Sequence, residues 1–240
     1  HAAQPGRAVL SMTVTRDGRP IADIQQEVEL AAGCQEACIS LSLSQPALWY
    51  PTGYGAQPLY DVSMTLSDTK GELLFDSRKQ IGFRKVIIDQ RLHPEKGRYF
   101  ILTINGIPVF AKGANMVPAD MIWANIDKQR YETLVARAKE ANMNFLRVWG
   151  GGVYESDDFY QLCDREGILV WQEFVFACAT YPATDKGFLD EVKQEAVYQV
   201  RRLSHHPSLV VWCGNNEIGW APKEGFHVGE DDFLYDEILP

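Results

Sequence analysis

Short segments in which apolar and polar residues alternate fill the first third of the chain. The clearest of them are residues 8–15, 22–30, 37–44, 59–66 and 73–88. Alternation with a turn every ten or so residues is typical of an antiparallel, immunoglobulin-like β-sandwich, which is complete at about seven strands. Because the pattern supplies five or six strands, we expect residues 1–88 to form such an all-β sandwich, whose first strand could lie outside the chain.

From about residue 100 the period changes, and apolar runs alternate with helical patterns. Strands are predicted at 108–115, 143–152, 168–174 and 208–214, with helices at 127–142, 155–167 and 184–206 between them. Asp127 is the predicted N-cap of the first helix, and Ser156 and Gly167 bound the second. Such a βαβαβαβ series forms either a small open parallel sheet or the first four units of a (β/α)8 TIM-type barrel, which needs ~250 residues in full. We therefore expect residues 89–240 to form an α/β region that is incomplete as a barrel.

The composition is that of a globular, acidic chain. It has 240 residues, 46% of them apolar, and a net charge of −9. A nucleic-acid partner is disfavoured because neutralising phosphates takes clustered Lys and Arg, and the sequence has no basic run. A membrane partner is disfavoured because no apolar stretch approaches roughly 20 residues. The first residues lack the basic head and apolar core of a signal peptide, and no cellular location is predicted.

The cysteines lie at positions 34, 38, 163, 178 and 213. None forms a CxxC pair or stands at zinc-site spacing from a histidine, so neither a metal site nor a cofactor is expected. Cys163 and Cys213 sit in apolar stretches typical of buried thiols. Cys34 and Cys38 are compatible with a disulfide across their turn or with two free thiols.

Polar and aromatic side chains follow the predicted strands where each strand ends, at residues 112–115, 147–152, 172–174 and 214–217. Since the carboxyl ends of parallel strands meet at one face, we expect these side chains to surround one site. Aromatic rings stack on sugar C–H groups, amides and guanidinium groups bind hydroxyls, and a carboxyl group transfers protons. A sugar therefore fits the site, although not uniquely, with Glu217 just past the last strand.

Several of these residues also have structural explanations. The glycines at 150–152 match no phosphate-binding motif and are interpreted as a tight turn. Arg147 is as readily a structural ion-pair partner as a substrate ligand. Glu173 is interpreted as a structural or supporting carboxylate. His205 and His206 precede the last strand, at the end of the sheet that carries stability, so a structural role is predicted for both.

The stretch "RLSHHPSLVVWCGNNEI" resembles the acid/base strand of glycoside hydrolase family 2, and "CGNNE" is most similar to its β-mannosidase branch. The segments "LWYPTGYGAQPLY" and "IGFRKV" resemble the end of the family's central sandwich domain, and "NGIPVFAKGANMVPAD" its first barrel strand. The long segment "NMNFLRVWGGGVYESDDFYQLCDREGILVWQEFVFACATYP" resembles its second and third barrel units. The resemblance is nearly continuous over about residues 47–219.

This resemblance implies retaining hydrolysis, in which one carboxylic acid protonates the leaving oxygen and a carboxylate ~5–5.5 Å away attacks the anomeric carbon. By resemblance Glu217 is the general acid/base, and Asn216 binds the sugar 2-hydroxyl. Arg147 and Trp149 would shape the subsite of the non-reducing sugar, with Asn115 a weaker candidate. The family's nucleophile is a glutamate on the seventh barrel strand, beyond the end of this chain.

Two local features bear on specificity. The segment "VWGGG" stands where family members that act on β-galactosides typically carry a histidine-containing "SHY"-like segment, which favours a β-mannoside. Met116 stands where many β-mannosidases are expected to carry a tryptophan, which leaves a β-glucuronide or another β-glycoside as an alternative. The alternative from a different class is a non-catalytic carbohydrate-binding protein with a degenerate barrel.

By itself, the chain is expected to hydrolyse nothing, because a retaining mechanism needs a nucleophile beside Glu217. A half-barrel also leaves its first and last strands as open edges. We expect the isolated chain to cover these edges by self-association or with residues 221–240, and to retain at most weak sugar binding.

Overall fold

The computed structural model describes residues 5–33, 36–218, 234, 235 and 239. β-sheets dominate, joined by a few helices. The chain divides into two compact units. The first consists of His1–Leu48 and Pro58–Phe83, as far as these are described, and the second of Trp49–Gln57 and Arg84–Pro240.

The first unit is built on an antiparallel sheet. Its strands are β1 (Gly6–Arg16), β2 (Arg19–Leu30), β3 (Tyr60–Asp68) and β4 (Leu73–Ile81), in the order β2-β1-β3-β4. Asp17 and Gly18 link β1 to β2 with φ angles of 51° and 72°, the left-handed conformation that a two-residue hairpin turn requires. Ala8, Leu10 and Val14 of β1 are buried between more exposed neighbours, so the alternation gives the sheet one core face.

One predicted strand is missing from this sheet. The prediction for 37–44 is wrong, because residues 36–43 join no strand ladder among the described residues. The alternation itself is present, since Ile39, Leu41 and Leu43 are partly buried between exposed neighbours. Alternation decides which side chains turn inward, but a strand also needs a partner, and no described strand pairs with this segment.

The second unit contains a small antiparallel sheet of β5 (Val86–Asp89), β6 (Ile101–Ile104) and β7 (Ile107–Pro108), in that order. The predicted segment 73–88 is thus divided between β4 and β5, which belong to different sheets. The predicted strand 108–115 is divided as well, because the chain leaves β7 at Pro108 and becomes a strand again only at Gly113.

A parallel sheet completes the second unit. Its strands are β8 (Gly113–Met116), β9 (Phe145–Val148), β10 (Leu169–Glu173) and β11 (Leu209–Cys213), in the order β11-β10-β9-β8. The helices between them are α1 (Lys128–Glu140), α2 (Asp157–Glu166) and α3 (Lys186–Leu203), and a 3-10 turn at Trp123–Asn125 precedes α1. Strands and helices alternate here as the hydrophobic pattern predicts.

The helix boundaries follow their capping residues. Asp127 caps α1 as predicted, because its carboxylate accepts a hydrogen bond from the N–H of Arg130 at 2.8 Å. Ser156 is the N-cap of α2 but makes no side-chain capping bond. Gly167 ends α2 at a φ of 72°, and a Cβ there would lie 2.5 Å from the backbone nitrogen of Thr52. Both the conformation and the close approach therefore require glycine.

The two faces of the parallel sheet differ in character. One face is buried against α1 and α2 and carries Met116, Leu146, Val148 and Val170. Because side chains alternate along a strand, the other face carries Asn115, Arg147, Trp171 and Glu173. An apolar cavity of about 520 Å³ borders this second face, with Phe145, Trp171 and Val211 in its lining. The second face is thus apolar along the strands and polar at their carboxyl ends.

A buried hydrogen-bond cluster closes the opposite end of the sheet, where the chain enters its strands. His206 Nδ1 lies 2.5 Å from Asp164 Oδ2, and the N–H of Ser208 donates to Asp164 Oδ1 at 3.0 Å. The indole N–H of Trp49 donates to the backbone oxygen of Asp164 at 2.8 Å. Asp164 and His206 are each 1% exposed, which supports the structural role predicted for His206.

Three further expectations concern the cysteines at 34 and 38, the tail 221–240, and membrane or metal binding. Cys38 is a free cysteine, and Cys34 lies outside the described residues. The tail 221–240 is described only at Leu234, Tyr235 and Leu239, where Leu234 is buried in a cluster with Phe174 and Phe176. Among the described residues, no helix is long and apolar enough to cross a membrane, and no group of three metal-ligating side chains is present.

Candidate active site

Arg147 joins the carboxyl ends of three neighbouring strands. It lies on β9 in register with Asn115 of β8 and Trp171 of β10. Its Nη1 donates to Asn115 Oδ1 at 3.0 Å, and its Nη2 donates to Asn216 Oδ1 at 2.5 Å. Three residues that the sequence singled out, Asn115, Arg147 and Asn216, are therefore in direct contact.

Glu173, the last residue of β10, receives the remaining bonds of this arginine. Arg147 Nε and Nη2 both donate to Glu173 Oε1, at 2.9 and 2.6 Å. The backbone N–H of Gly150 donates to the other carboxylate oxygen at 2.8 Å. Glu173 is 1% exposed, so its charge is buried but has both a cation and an amide donor, as a buried carboxylate requires. This geometry is that of a supporting carboxylate, in agreement with its interpretation from sequence.

The orientation of Asn216 follows from its contact with Arg147. A guanidinium group only donates hydrogen bonds, so the amide oxygen of Asn216 must face it. The amide nitrogen is then directed away and donates to Cys178 Sγ at 3.4 Å. Asn216 is 5% exposed, and both ends of its side chain are held.

Glu217 is exposed and lies beside Cys178, whose Sγ is 3.6 Å from Glu217 Oε2. The two segments run together, because the N–H of Asn216 donates to the oxygen of Phe176 and the N–H of Cys178 to the oxygen of Asn216, at 2.9 and 3.1 Å. Cys178 and Glu217 have φ angles of 50° and 55°. Left-handed backbone at residues other than glycine costs on the order of 1–3 kcal/mol each, and such strain clusters at functional sites.

Trp149 follows β9 directly, and its N–H donates to the oxygen of Met116 at 3.1 Å. Its ring covers the backbone of Gly151, where an added Cβ would lie 2.2 Å from a ring carbon. A Cβ at Gly150 would lie 2.7 Å from the backbone oxygens of both Phe174 and Phe176. The glycines thus permit close packing, which supports the predicted tight turn. Gly150 follows Trp149 in the chain and donates its N–H to Glu173, so it links the two residues.

Sequence reasoning did not single out Cys178. It follows Glu173 by five positions, and so lies in the segment that leaves the carboxyl end of β10. Its place just after a predicted strand end is the signal that could have identified it.

Met116 is buried in the core shared with α1 and α2, so its side chain is on the face of the sheet away from Arg147.

Another buried carboxylate, Glu155, lies outside this cluster and has a hydroxyl for its partner. The Tyr131 hydroxyl donates to Glu155 Oε2 at 2.5 Å, and Glu155 is 3% exposed. Burial raises the pKa of Glu155 above its usual range, an effect that the Tyr131 hydrogen bond opposes. Burial also raises the pKa of Tyr131, to about 12.

Residues 5–84 match the model of the family "Glycosyl hydrolases family 2". The chain belongs to this family, as its motifs predicted. Within the family, its relatives include a β-mannosidase of Capra hircus, 39% identical over 225 residues that cover 91% of this chain and 25% of that protein. They also include β-mannosidase B of Aspergillus niger, which is 43% identical in a match that covers 96% of this chain and 28% of that protein.

A solved structure extends the similarity to the whole fold. The crystal structure of a β-D-mannosidase from Dictyoglomus thermophilum covers 100% of this chain with a TM-score of 0.92 and 42% identity, and the match covers 30% of that chain. The present chain thus spans about a quarter of the length of the curated relatives it matches. The resemblance to the β-mannosidase branch is confirmed.

Proposed function

We propose that this chain is part of a retaining exo-β-glycosidase that hydrolyses terminal β-mannosides. The observation that carries the proposal is the Arg147 cluster: one guanidinium group holds Asn115, Glu173 and Asn216 at the carboxyl ends of adjacent strands, with the Glu217 carboxylate exposed beside them. The identity to β-mannosidases from three sources supports the choice of sugar.

In this proposal Glu217 is the general acid/base. As the acid it gives its proton to the glycosidic oxygen while that oxygen leaves the anomeric carbon, and a second carboxylate forms the bond to that carbon. As the base it then takes a proton from the water that releases the sugar. The exposure of Glu217 supports this role, because a proton donor must reach the substrate oxygen.

The remaining residues bind and orient the sugar. Asn216 is assigned to the 2-hydroxyl, a contact that strengthens in the transition state. Arg147 and Trp149 shape the subsite of the non-reducing sugar, and Asn115 contributes a second amide. The four bonds of Arg147 support a fixed subsite, because each of them limits its rotation.

At the level of domains, we propose that the part of residues 1–88 that lies in the first compact unit forms an immunoglobulin-like sandwich, and that residues 89–240 contain the first four units of a (β/α)8 barrel. The single core face of the β2-β1-β3-β4 sheet supports the first, since it suits a second layer. The order β11-β10-β9-β8, with helices on one face, supports the second. The nucleophile is assigned to a later strand, so the isolated chain is expected to be inactive.

The test is to express the full-length protein and compare hydrolysis of aryl β-mannoside, β-galactoside, β-glucoside and β-glucuronide. Preference for the mannoside, with retention of anomeric configuration, is the expected result. Preference for another sugar would correct the specificity and leave the reaction in place. Binding of mannose without hydrolysis of any of the four would replace the enzyme with a carbohydrate-binding protein.

A further inference from the structure

A chain of hydrogen bonds runs from Arg147 to the carboxylate of Glu217 through two intermediate side chains. Arg147 Nη2 donates to Asn216 Oδ1, and Asn216 Nδ2 donates to Cys178 Sγ. The thiol of Cys178 is 3.6 Å from Glu217 Oε2 and donates to it. We propose that Cys178 is a positioning residue for Glu217 and connects the sugar subsite to the proton donor. This inference rests on the proposed function.

The direction of this series of hydrogen bonds is fixed at Arg147. Because Arg147 cannot accept a hydrogen bond, Asn216 must present its oxygen to it and its nitrogen to Cys178. The sulfur therefore accepts from Asn216, and its own hydrogen is free to point at Glu217. Every donor points towards the carboxylate, an arrangement in which successive bonds polarise one another.

The bond favours one oxygen of Glu217 as the carrier of the reacting proton. The carbonyl oxygen of a protonated carboxyl group is a better acceptor than its hydroxyl oxygen, so the thiol bond to Oε2 favours the acid form of Glu217 that holds its proton on Oε1. With Oε2 held, the carboxyl group presents Oε1 in one orientation to the leaving oxygen. Orientation of this kind acts on the proton-transfer step.

Packing does not explain the position of this cysteine. Free cysteines usually behave as small buried hydrophobes, as Cys163 does in the core, whereas Cys178 is exposed. Its backbone is also held at a φ of 50° by the paired segment that contains Asn216. The strained backbone aims the thiol at the carboxylate without burying it.

The first test is kinetic and uses the full-length enzyme with the β-glycoside that it hydrolyses best. Cys178→Ala should lower kcat/KM about tenfold for aryl glycosides with poor leaving groups and less than about twofold for those with good ones, since only the former need a delivered proton. Cys178→Ser keeps a donor and should recover most of the loss. The matched control is Cys38→Ala, at another exposed cysteine, which should leave kcat/KM unchanged for both types of substrate. Equal losses on both substrate types, or no loss on either, would overturn the proposal.

The second test needs no turnover, so it separates this inference from the proposed function. The infrared S–H stretching band of Cys178 is isolated by subtracting the spectrum of the Cys178→Ser variant. In Glu217→Gln the thiol loses its charged acceptor, and the band should move to the higher frequency of a weaker hydrogen bond. A band that does not move shows that the thiol does not donate to Glu217, whatever substrate the enzyme takes.

Discussion

The two ends of the parallel sheet each carry a buried carboxylate with a hydrogen-bonding partner, but the two partners differ in exposure to solvent. At the entry end, Asp164 and His206 are both 1% exposed and bind only protein groups in the contacts described. At the carboxyl end, the side chain of Glu173 is 2% exposed but that of its partner Arg147 is 24% exposed. The first cluster is closed, and the second is partly open to solvent at Arg147.

This difference separates stability from function by position. A closed cluster can only hold the fold, because no ligand reaches its polar atoms. An open cluster keeps one member fixed and presents the other, which is how a supporting carboxylate orients a substrate-binding residue. Substitutions at the two ends should therefore fail in different assays, and the expected effects below run from the largest to the smallest.

The largest effect is expected for Glu217→Gln in the full-length protein. Loss of the proton donor should reduce turnover of substrates with poor leaving groups by about 10²–10⁴-fold, and much less for good leaving groups. Steady-state kinetics on a series of aryl β-mannosides measures this. Small and equal losses across the series would remove Glu217 from the acid role.

At the closed end, Asp164→Ala should act on stability alone. It leaves His206 Nδ1 and the N–H of Ser208 without their acceptor, at about 1–3 kcal/mol for each buried group, so a loss of about 3 kcal/mol is expected. Thermal unfolding of the full-length protein measures this, with Asp158→Ala in the first turn of α2 as the control. Asp158 contributes only a helix-terminus interaction, worth less than about 1 kcal/mol. A catalytic defect in the folded Asp164→Ala variant would contradict the claim that this end of the sheet contributes to stability alone.

A smaller effect on turnover is expected for Trp149→Ala. If the ring lines the sugar subsite, kcat/KM should fall about tenfold or more while the melting temperature stays within a few degrees, since a core tryptophan would cost ~3–5 kcal/mol instead. Trp149→Phe keeps an aromatic face and should restore part of the activity. A large fall in stability with normal kinetics would make Trp149 structural.

The smallest effect is expected for Glu155→Gln, and it depends on pH. Burial raises the pKa of folded Glu155, so its stabilising contribution is present at low pH and is lost as the pH rises from its usual range through the raised value. Glutamine keeps an acceptor for Tyr131 without the charge. The variant should therefore gain on the wild type over the pH range above about 4.3, the usual pKa of a glutamate, in paired melting curves. A difference that is constant over this range would contradict the assignment.

Much of the second unit could be predicted from sequence, because its elements depend on local signals. Asp127 caps α1 and Gly167 ends α2 as their types require. The strand expected at 37–44 is absent because a strand needs a partner, and periodicity does not encode which segments pair. The strand ends were predicted to meet, but the bonds of Arg147 depend on the register of β8, β9 and β10. Cys178 was missed because its contact with Glu217 needs the pairing of two loops.

The hydrogen bonds of Arg147 also help to fix the register of the parallel strands. A slip of one residue in β9 would turn its side chains to the opposite face and carry the guanidinium group into the apolar layer beside α1 and α2. Asn115, Asn216 and Glu173 would then lose their donor, and a charge would be buried without a partner. The polar residues proposed to hold the sugar therefore penalise misaligned sheets. Replacing them all by apolar residues should yield a sheet with less well-defined strand alignment, even where its stability is maintained.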